Sequence, residues 1–283
     1  MFNNLKCSIN YEQAILMNNI LIASYNSFPS IALAVESVLK RTNAECQITV
    51  FDSSPENSET RTYLQIMAIL GHINLHTEDR QHLHGEALQW LVTHTESRYA
   101  VILDSDVEIL CPEWLDVILS MLAATTLGVA ELRKAGNFYP QRVFRVPIFH
   151  PSLFLINIDK YRDFGIHGDD WLTKRIPLSE FPYVNKYDHE TSVAYHPIAK
   201  NTQHVHYDTG GRLAERILHE NSKGYKVCTL PIQFMANAAQ PPDPPFYAKH
   251  YEGMSARGGD VILQRRVVVK SRLLRLRASR ENP

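Results

Sequence analysis

Two aspartates one residue apart, Asp104 and Asp106, lie inside the stretch YAVILDSDVEIL at residues 99–110. Side chains two positions apart on an extended segment project to the same side, so both carboxylates can turn towards one cation. Ionised together with no counter-charge they repel each other, and a bound divalent ion removes that repulsion. Mg2+ and Mn2+ take such oxygen ligands and commonly share them with phosphate groups. Asp104, Ser105 and Asp106 therefore form a candidate site for metal and phosphate. The alternative is that Ser105 or Asp106 merely caps the following helix. Asp52 closes the run ITVFD. It can accept a ring N–H of uracil, thymine or guanine, or instead close an Asx turn with Ser54. Tyr25, in ASYN, offers an aromatic face for stacking on the same base.

The elements that must position these residues follow from the periodicity. NNILIASYN (18–26), CQITVFDSS (46–54), INLHTE and YAVILD are short apolar runs that predict strands. SIALAVESVLKRT (30–42), capped by Ser30, has helical spacing, as do SETRTYLQIMAIL (58–70) up to Gly71, GEALQWLVTHT and PEWLDVILSMLAAT. Strands alternating with helices predict βαβ units: an α/β chain whose Rossmann-like, mostly parallel sheet is flanked by helices. Such sheets bind ligands beyond the carboxyl ends of their strands, where Tyr25, Asp52 and the Asp104–Asp106 pair fall.

The second half is less regular. HPSLFLINIDKYRDFGI (150–166) predicts a strand running into a short helix, and DWLTKRIPLSEFPYVNKYDHET a surface loop. GGRLAERILHENSKGYKV (210–227) predicts a helix stopped by Gly224, with YKVCTLPI as a late strand. AAQPPDPPFYAKHYEGMSARGGD (238–260), rich in proline and glycine, reads as a mobile loop or a linker.

Composition narrows the class. With 283 residues, 45% of them apolar, the chain has enough material for a sizeable core. The net charge of −1 hides an asymmetry: residues 261–283 hold seven Lys/Arg and one Glu, which leaves 22 basic and 29 acidic residues in 1–260. The mildly acidic body lacks a reading motif for nucleic acid, so nucleic-acid binding is not expected. The basic tail, if helical, is amphipathic and suited to peripheral contact with anionic lipid. Four scattered cysteines without a CxxC pair fit a reduced, cytoplasmic protein. No run reaches the roughly 18 apolar residues of a membrane helix, and the first residues carry no signal-peptide pattern.

Residues 19–110 resemble the nucleotide-sugar half of family 2 glycosyltransferases with the GT-A fold. The resemblance is carried by ILIASYN, ITVFDSSPENSET, LHGEALQWLVTHTESRYAVILDSDVEI and PEWLDVIL. It covers roughly the first 130 residues well and the rest loosely. It implies a catalytic domain over 1–260, with a nucleotide-sugar half near 18–130, an acceptor half near 131–260, and a separate tail at 261–283. The resemblance places Asp104 at the ribose or sugar and Asp106 on the metal that bridges the diphosphate, and it gives Asp52 base recognition. Arg80 and Gly85 lie in the loop that approaches the sugar nucleotide, although EDRQHLHGEAL departs there from the usual Asn-Lys/Arg-Gly run. His250, in YAKHYEGMS, corresponds to a late histidine that adds a metal ligand from a flexible loop, and such a mixed set suits Mn2+.

Inverting sugar transfer needs a base for the acceptor hydroxyl. By the resemblance that base is Asp208, which precedes GGRLAERI, with Asp188, Glu190, Asp169 and Asp170 as alternatives and a helix N-cap as the plainer role for Asp208. His150 is either a contact to donor or acceptor or part of a structural strand. The activity implied is metal-dependent transfer from a nucleoside-diphosphate sugar, UDP-type among others, to a glycan, lipid-linked or small-molecule acceptor. A sugar-phosphate nucleotidyltransferase is the enzyme alternative, but ASYNSFPS lacks the glycine-rich basic loop that a triphosphate needs. A catalytically inactive module with the same fold is the non-enzymatic one.

Overall fold

A computed structural model of the chain describes residues 18–133, 136–138, 142–184, 187, 198–231, 234–236, 246–251 and 260–278. The first half alternates as expected. Strand β1 (Asn18–Ser24) leads into α1 (Ser30–Arg41), β2 (Cys46–Asp52) into α2 (Glu59–Ile69), and β3 (Asn74–Thr77) into α3 (His84–His94). Strand β4 (Tyr99–Leu103) then runs through the Asp104–Asp106 turn to β5 (Val107–Ile109) and α4 (Trp114–Ser120). The second half continues with β6 (Thr126–Arg133), β7 (Gly136–Phe138), β8 (Val143–Arg145), β9 (Ile148–Asn157), α5 (Ile158–Phe164), β10 (Lys174–Pro177) and β11 (His204–Tyr207). Helix α6 (Gly211–His219), β12 (Lys226–Thr229), β13 (Met235–Ala236), β14 (Ala248–His250) and α7 (Asp260–Ala278) complete it.

The main sheet has seven strands in the order β12-β6-β9-β4-β1-β2-β3. Only β9 runs against the others, because its pairings with β4 and β6 are antiparallel and the rest are parallel. The expected α/β class with a mostly parallel sheet is the one observed. Alternation along the strands builds a core on each face. Ile20, Ile22, Val101 and Leu103 face one layer with α1, α2 and α4. Leu21, Ala23, Ala100 and Ile102 face the other, with α3 and α6. Each fully buried aliphatic side chain contributes about 1.5–3 kcal/mol. These layers therefore hold the strand ends, and the polar residues on them, in fixed positions.

Several local expectations are corrected. Ser30 is the first residue of α1 and not its cap; its hydroxyl bonds Ser27 O, and Pro29 occupies the cap position. The stretch expected to be a surface loop contains β10. Helix α6 ends at His219, before Gly224. Strands β5, β6, β7, β8, β10, β11, β13 and β14 fall where none was expected.

Helix α7, in the basic 261–283 segment, packs on α1. Val269, Leu273 and Leu276 are buried against Ala32, Leu33 and Tyr251, and Arg277 holds Glu36 through Nε (3.0 and 3.1 Å) and Nη2 (2.5 Å). This explains why α1 is buried all round from Ser30 to Val38, with the sheet on one side and α7 on the other. Arg266, Lys270 and Arg275 face outwards. Among the described residues no helix is long and apolar enough to cross a membrane.

Two expected results follow from the packing. Gly85 is buried at the start of α3, and a Cβ there would stand 2.1 Å from Trp171 O and 2.9 Å from Trp171 C. The backbone of residues 171–172 must shift to admit it, so Gly85→Ala should cost about 1–3 kcal/mol in urea unfolding. Glu215, on α6, is wholly buried, and burial pushes its pKa up to about 8 despite a hydrogen bond from Tyr187 and the charge of Arg212. The folded state thus keeps a proton that the unfolded chain releases near the ordinary glutamate value. Stability is greatest below that value and falls as pH rises through 8, by up to about 1.4 kcal/mol per pH unit. Glu215→Gln should remove this fall and exceed the parent protein in stability at alkaline pH, as read from unfolding curves across pH.

Candidate metal centre and active site

The carboxyl end of β4 shapes the centre. The Asp104 N–H still pairs with Ser152 O on β9 (3.1 Å), and the chain then turns back, with Val107 N–H donating to Asp104 O (3.1 Å). That tight turn sets the two aspartate side chains together. Strand β5 leaves the turn and pairs antiparallel with β14, setting His250 opposite Val107, and Tyr251 N–H donates to Asp106 O (3.0 Å). Main-chain register thus delivers His250 beside the pair. It sits on a strand and not in a flexible loop as expected; residues 237–245 and 252–259 of that proline- and glycine-rich stretch lie outside the described residues.

His250 Nε2 stands 3.1 Å from Asp106 Oδ1 and 3.8 Å from Asp104 Oδ2. One ligand atom from each of Asp104, Asp106 and His250 lies within 4.8 Å of the others. Asp106 and His250 are buried at 7% and 8% exposure, which keeps bulk water from competing for them. His84, the first residue of α3, brings Nε2 within 3.3 Å of Asp104 Oδ1, at an angle that leaves this buried oxygen without a hydrogen bond. Burial alone would raise the Asp104 carboxyl; His84, then His250 and His150, outweigh it and hold it well below the ordinary carboxylate range. Burial likewise pulls His84 down, but Asp104, then Asp106 and Asp208, raise it above the ordinary imidazole value. A buried, ionised carboxylate with an unsatisfied oxygen, a second carboxylate and an imidazole together suit a divalent cation.

A second layer holds this one. Glu108, 1% exposed, lies two residues beyond Asp106. It accepts from Tyr251 Oη (2.7 Å), Arg272 Nη2 (2.8 Å), Arg272 Nε (3.2 Å) and Arg41 Nη1 (3.5 Å). Strand β5, the residue after His250, the end of α1 and helix α7 are therefore locked to one buried carboxylate. His150 Nδ1 pairs with Ser152 Oγ (2.7 Å), and its ring lies 5.6 Å from that of His250.

The other expected site residues divide. Asp208 follows β11, half-exposed, with Arg145 Nη1 3.9 Å from Oδ2 and its own Oδ1 accepting from Thr209 N–H (3.0 Å). It does not cap α6, whose cap is Gly210 at φ +79°. Its charge adds to those that raise the His84 pKa. Tyr25 lies just past β1, half-buried.

Asp52 makes the Asx turn that the sequence offered as its second role. It is 0% exposed, with Oδ2 held by Arg61 Nε (2.6 Å) and Oδ1 by Ser54 Oγ (2.6 Å) and Ser54 N–H (3.3 Å). The carboxylate closes the Asx turn and neutralises a buried guanidinium. Gly85 admits a close approach, but by the chain's own Trp171. Arg80 is exposed and donates to His82 Nε2 (3.2 Å). Among the alternative bases, Asp170 is clamped by Arg216 (2.7 Å to each oxygen) and Tyr161 Oη (2.7 Å), and Asp169 pairs with Lys174 (2.7 Å). Asp188 and Glu190 lie outside the described residues. His84 escaped the sequence reading; its place directly before the buried Gly85, at a helix start facing the strand exits, was the available signal.

A mostly parallel α/β sheet thus sets a carboxylate pair and a histidine at its carboxyl edge. The profile of the family described as Glycosyl transferase family 2 matches residues 19–178. The match covers more than half of the chain, and the chain belongs to that family. No curated protein sequence matches it. Similar solved structures include the mannosyltransferase PcManGT from Pyrobaculum calidifontis in complex with GDP-Man and Mn2+, at 16% identity over 73% of this chain and 63% of that one, TM-score 0.43. GalNAc-T7 with UDP, GalNAc and Mn2+ is similar at 13% identity over 70% of this chain and 44% of that one, TM-score 0.45. The galactosyltransferase LgtC in complex with donor and acceptor sugar analogs matches at 16% identity over 90% and 95%, TM-score 0.48. The chain thus spans about two fifths to just under two thirds of the first two of these proteins.

Proposed function

We propose that the chain is a metal-dependent, inverting glycosyltransferase that moves a sugar from a nucleoside-diphosphate donor to an acceptor hydroxyl. The observation that carries this reading is the Asp104–Asp106–His250 cluster at the carboxyl edge of the sheet, in a chain of glycosyl transferase family 2. Asp104, Asp106 and His250 hold the cation, with Mn2+ favoured by the mixed oxygen and nitrogen ligands. When bound, such an ion stabilises the negative charge that builds on a leaving diphosphate. Tyr25 stacks on the base, as expected from the exit of β1. Asp208 accepts the proton of the acceptor hydroxyl as that oxygen attacks the anomeric carbon and the bond to the diphosphate breaks. His84 keeps the Asp104 carboxylate ionised and oriented.

The test is a panel of nucleoside-diphosphate sugars assayed for nucleotide release with and without Mn2+. Release that needs both one donor and the metal supports the reading. Donor binding without any release assigns the fold to a non-catalytic module. The arrangement around Glu108 adds a sharper expectation. Arg272→Gln removes two of its bonds and should weaken Mn2+ binding, read by calorimetry, by about tenfold or more. Arg277→Gln loosens the same helix only at Glu36 and should lower the melting temperature with Mn2+ affinity intact.

A further inference from the structure

The amino edge of the main sheet, opposite the metal centre, holds a cleft of about 470 Å3. Asn19 and Gln47 stand side by side in the β1–β2 register, as do Thr49 and Asn74 in β2–β3. By alternation Asn19 shares a face with Leu21 and Ala23, and Thr49 with Phe51, the face that packs on α3. Helix α3 leaves the carboxyl edge at His84, whose Nε2 is 3.3 Å from Asp104 Oδ1, and its last residues, Trp90, Leu91 and His94, wall the cleft. Asn19 lies five residues before Ser24 along β1, about 17 Å of strand, so cleft and metal centre are separate places.

Parallel sheets are covered on both faces, and their strands read as unbroken apolar runs. Here the run is broken on one face only. Ile20 and Ile48, on the other face, are buried in the core, whereas amides and a hydroxyl occupy the cleft side. Asn19, 6% exposed, is locked in place: Nδ2 donates to Thr95 Oγ1 (3.1 Å) and Oδ1 accepts from Thr49 Oγ1 (3.0 Å). The second N–H of that amide has no acceptor among the described residues. The amides of Gln47 and Asn74 and the indole N–H of Trp90 likewise have no hydrogen-bond partner among them. Trp90 stacks on the rings of His76 (4.0 Å) and His94 (4.2 Å), which fixes the aromatic wall.

The lining selects the ligand. Among the described residues no Lys or Arg lines the cleft, and its carboxylate, Glu96, repels an anion. A diphosphate, a sugar phosphate or a uronate therefore finds no counter-charge there. A side-chain amide offers donors and an acceptor together, which matches hydroxyls that also do both. The volume is that of a small-molecule site, and Leu21, Leu91 and the aromatic wall supply apolar surface for the C–H groups of a ring. We infer that this cleft is a second binding site, for a neutral saccharide unit, apart from the catalytic centre. It binds that unit whatever reaction the metal centre performs.

The full chain, labelled with 15N, is titrated with glucose, galactose and N-acetylglucosamine without donor or Mn2+, with glucuronate as the charged control. The indole N–H resonance of Trp90 is assigned by its loss in Trp90→Phe, and the fully buried Trp114 and Trp171 serve as internal references. At least one neutral sugar should shift the Trp90 resonance saturably while glucuronate leaves it in place. Gln47→Ala, which breaks no hydrogen bond of the fold, should keep the melting temperature and weaken that binding by about fivefold. Asp208→Asn should leave the binding as it is. No saturable shift with any neutral sugar, equal affinity in Gln47→Ala, or equal binding of glucuronate overturns the inference. So does a shift that vanishes in Asp208→Asn, which would put the sugar in the catalytic centre instead.

Discussion

Asp106→Asn is expected to lower metal-dependent sugar transfer by about 10^3-fold, since Lewis-acid stabilisation of the leaving group is worth several kcal/mol and each 1.36 kcal/mol is a factor of ten. Burial sets the size of this effect. Asp106 is 7% exposed and 3.1 Å from His250, so bulk water has little access to replace it, and an amide oxygen without charge is a weak ligand. The folded state should survive. Asp106 contributes its main-chain carbonyl to Tyr251 N–H whatever its side chain, and removing one of two neighbouring carboxylates relieves repulsion in the metal-free protein. Mn2+ at a hundredfold excess over its Kd should stabilise the parent by about 2.7 kcal/mol. The same addition should leave the melting temperature of the Asp106→Asn protein unmoved. A variant that keeps both the turnover and the Mn2+-induced shift would exclude Asp106 as a ligand.

The second large effect belongs to Asp208. Asp208→Asn keeps the size and the hydrogen bond from Thr209 N–H but cannot take a proton, and general-base catalysis is worth about 10^2–10^4-fold. Turnover in the presence of acceptor should fall by about that factor, with Mn2+ and nucleotide affinities unchanged, because Asp208 follows β11 and is no part of the metal turn. A fall in affinity with turnover preserved would instead make Asp208 a charge partner of Arg145 and His84. The two variants thus fail differently: one loses the metal, the other only the proton acceptor.

Much of this was legible in the amino-acid order. Strands β1 to β4 and their helices announce themselves because each buries one stripe or both faces, and burial leaves a period of two or 3.6 in the apolar residues. The polar residues at their exits follow from the topology. What stayed hidden depends on partners far along the chain. Strands β5, β8 and β11 have three or four residues each, too few to set a period, and exist because a neighbouring strand supplies their hydrogen bonds. Asp52 looked like a ligand because its partner, Arg61, lies nine residues away on the next helix. Gly85 was rightly read as a point of close approach, yet the approaching group, Trp171, belongs to the other half of the fold. His250 was picked out as a ligand by resemblance, while the β5–β14 pairing that aims it is a tertiary event with no local mark. The tail helix docks on α1, since the apolar face of α1 away from the sheet is covered by Tyr251, Val269, Leu273 and Leu276.

The most direct measurement is anomalous diffraction at the manganese edge from crystals of the full chain grown with Mn2+ and a nucleoside diphosphate. One anomalous peak between Asp104, Asp106 and His250, with diphosphate oxygens on its open side, is the predicted result. A peak elsewhere, or none at this rim while the nucleotide is bound, would contradict the account.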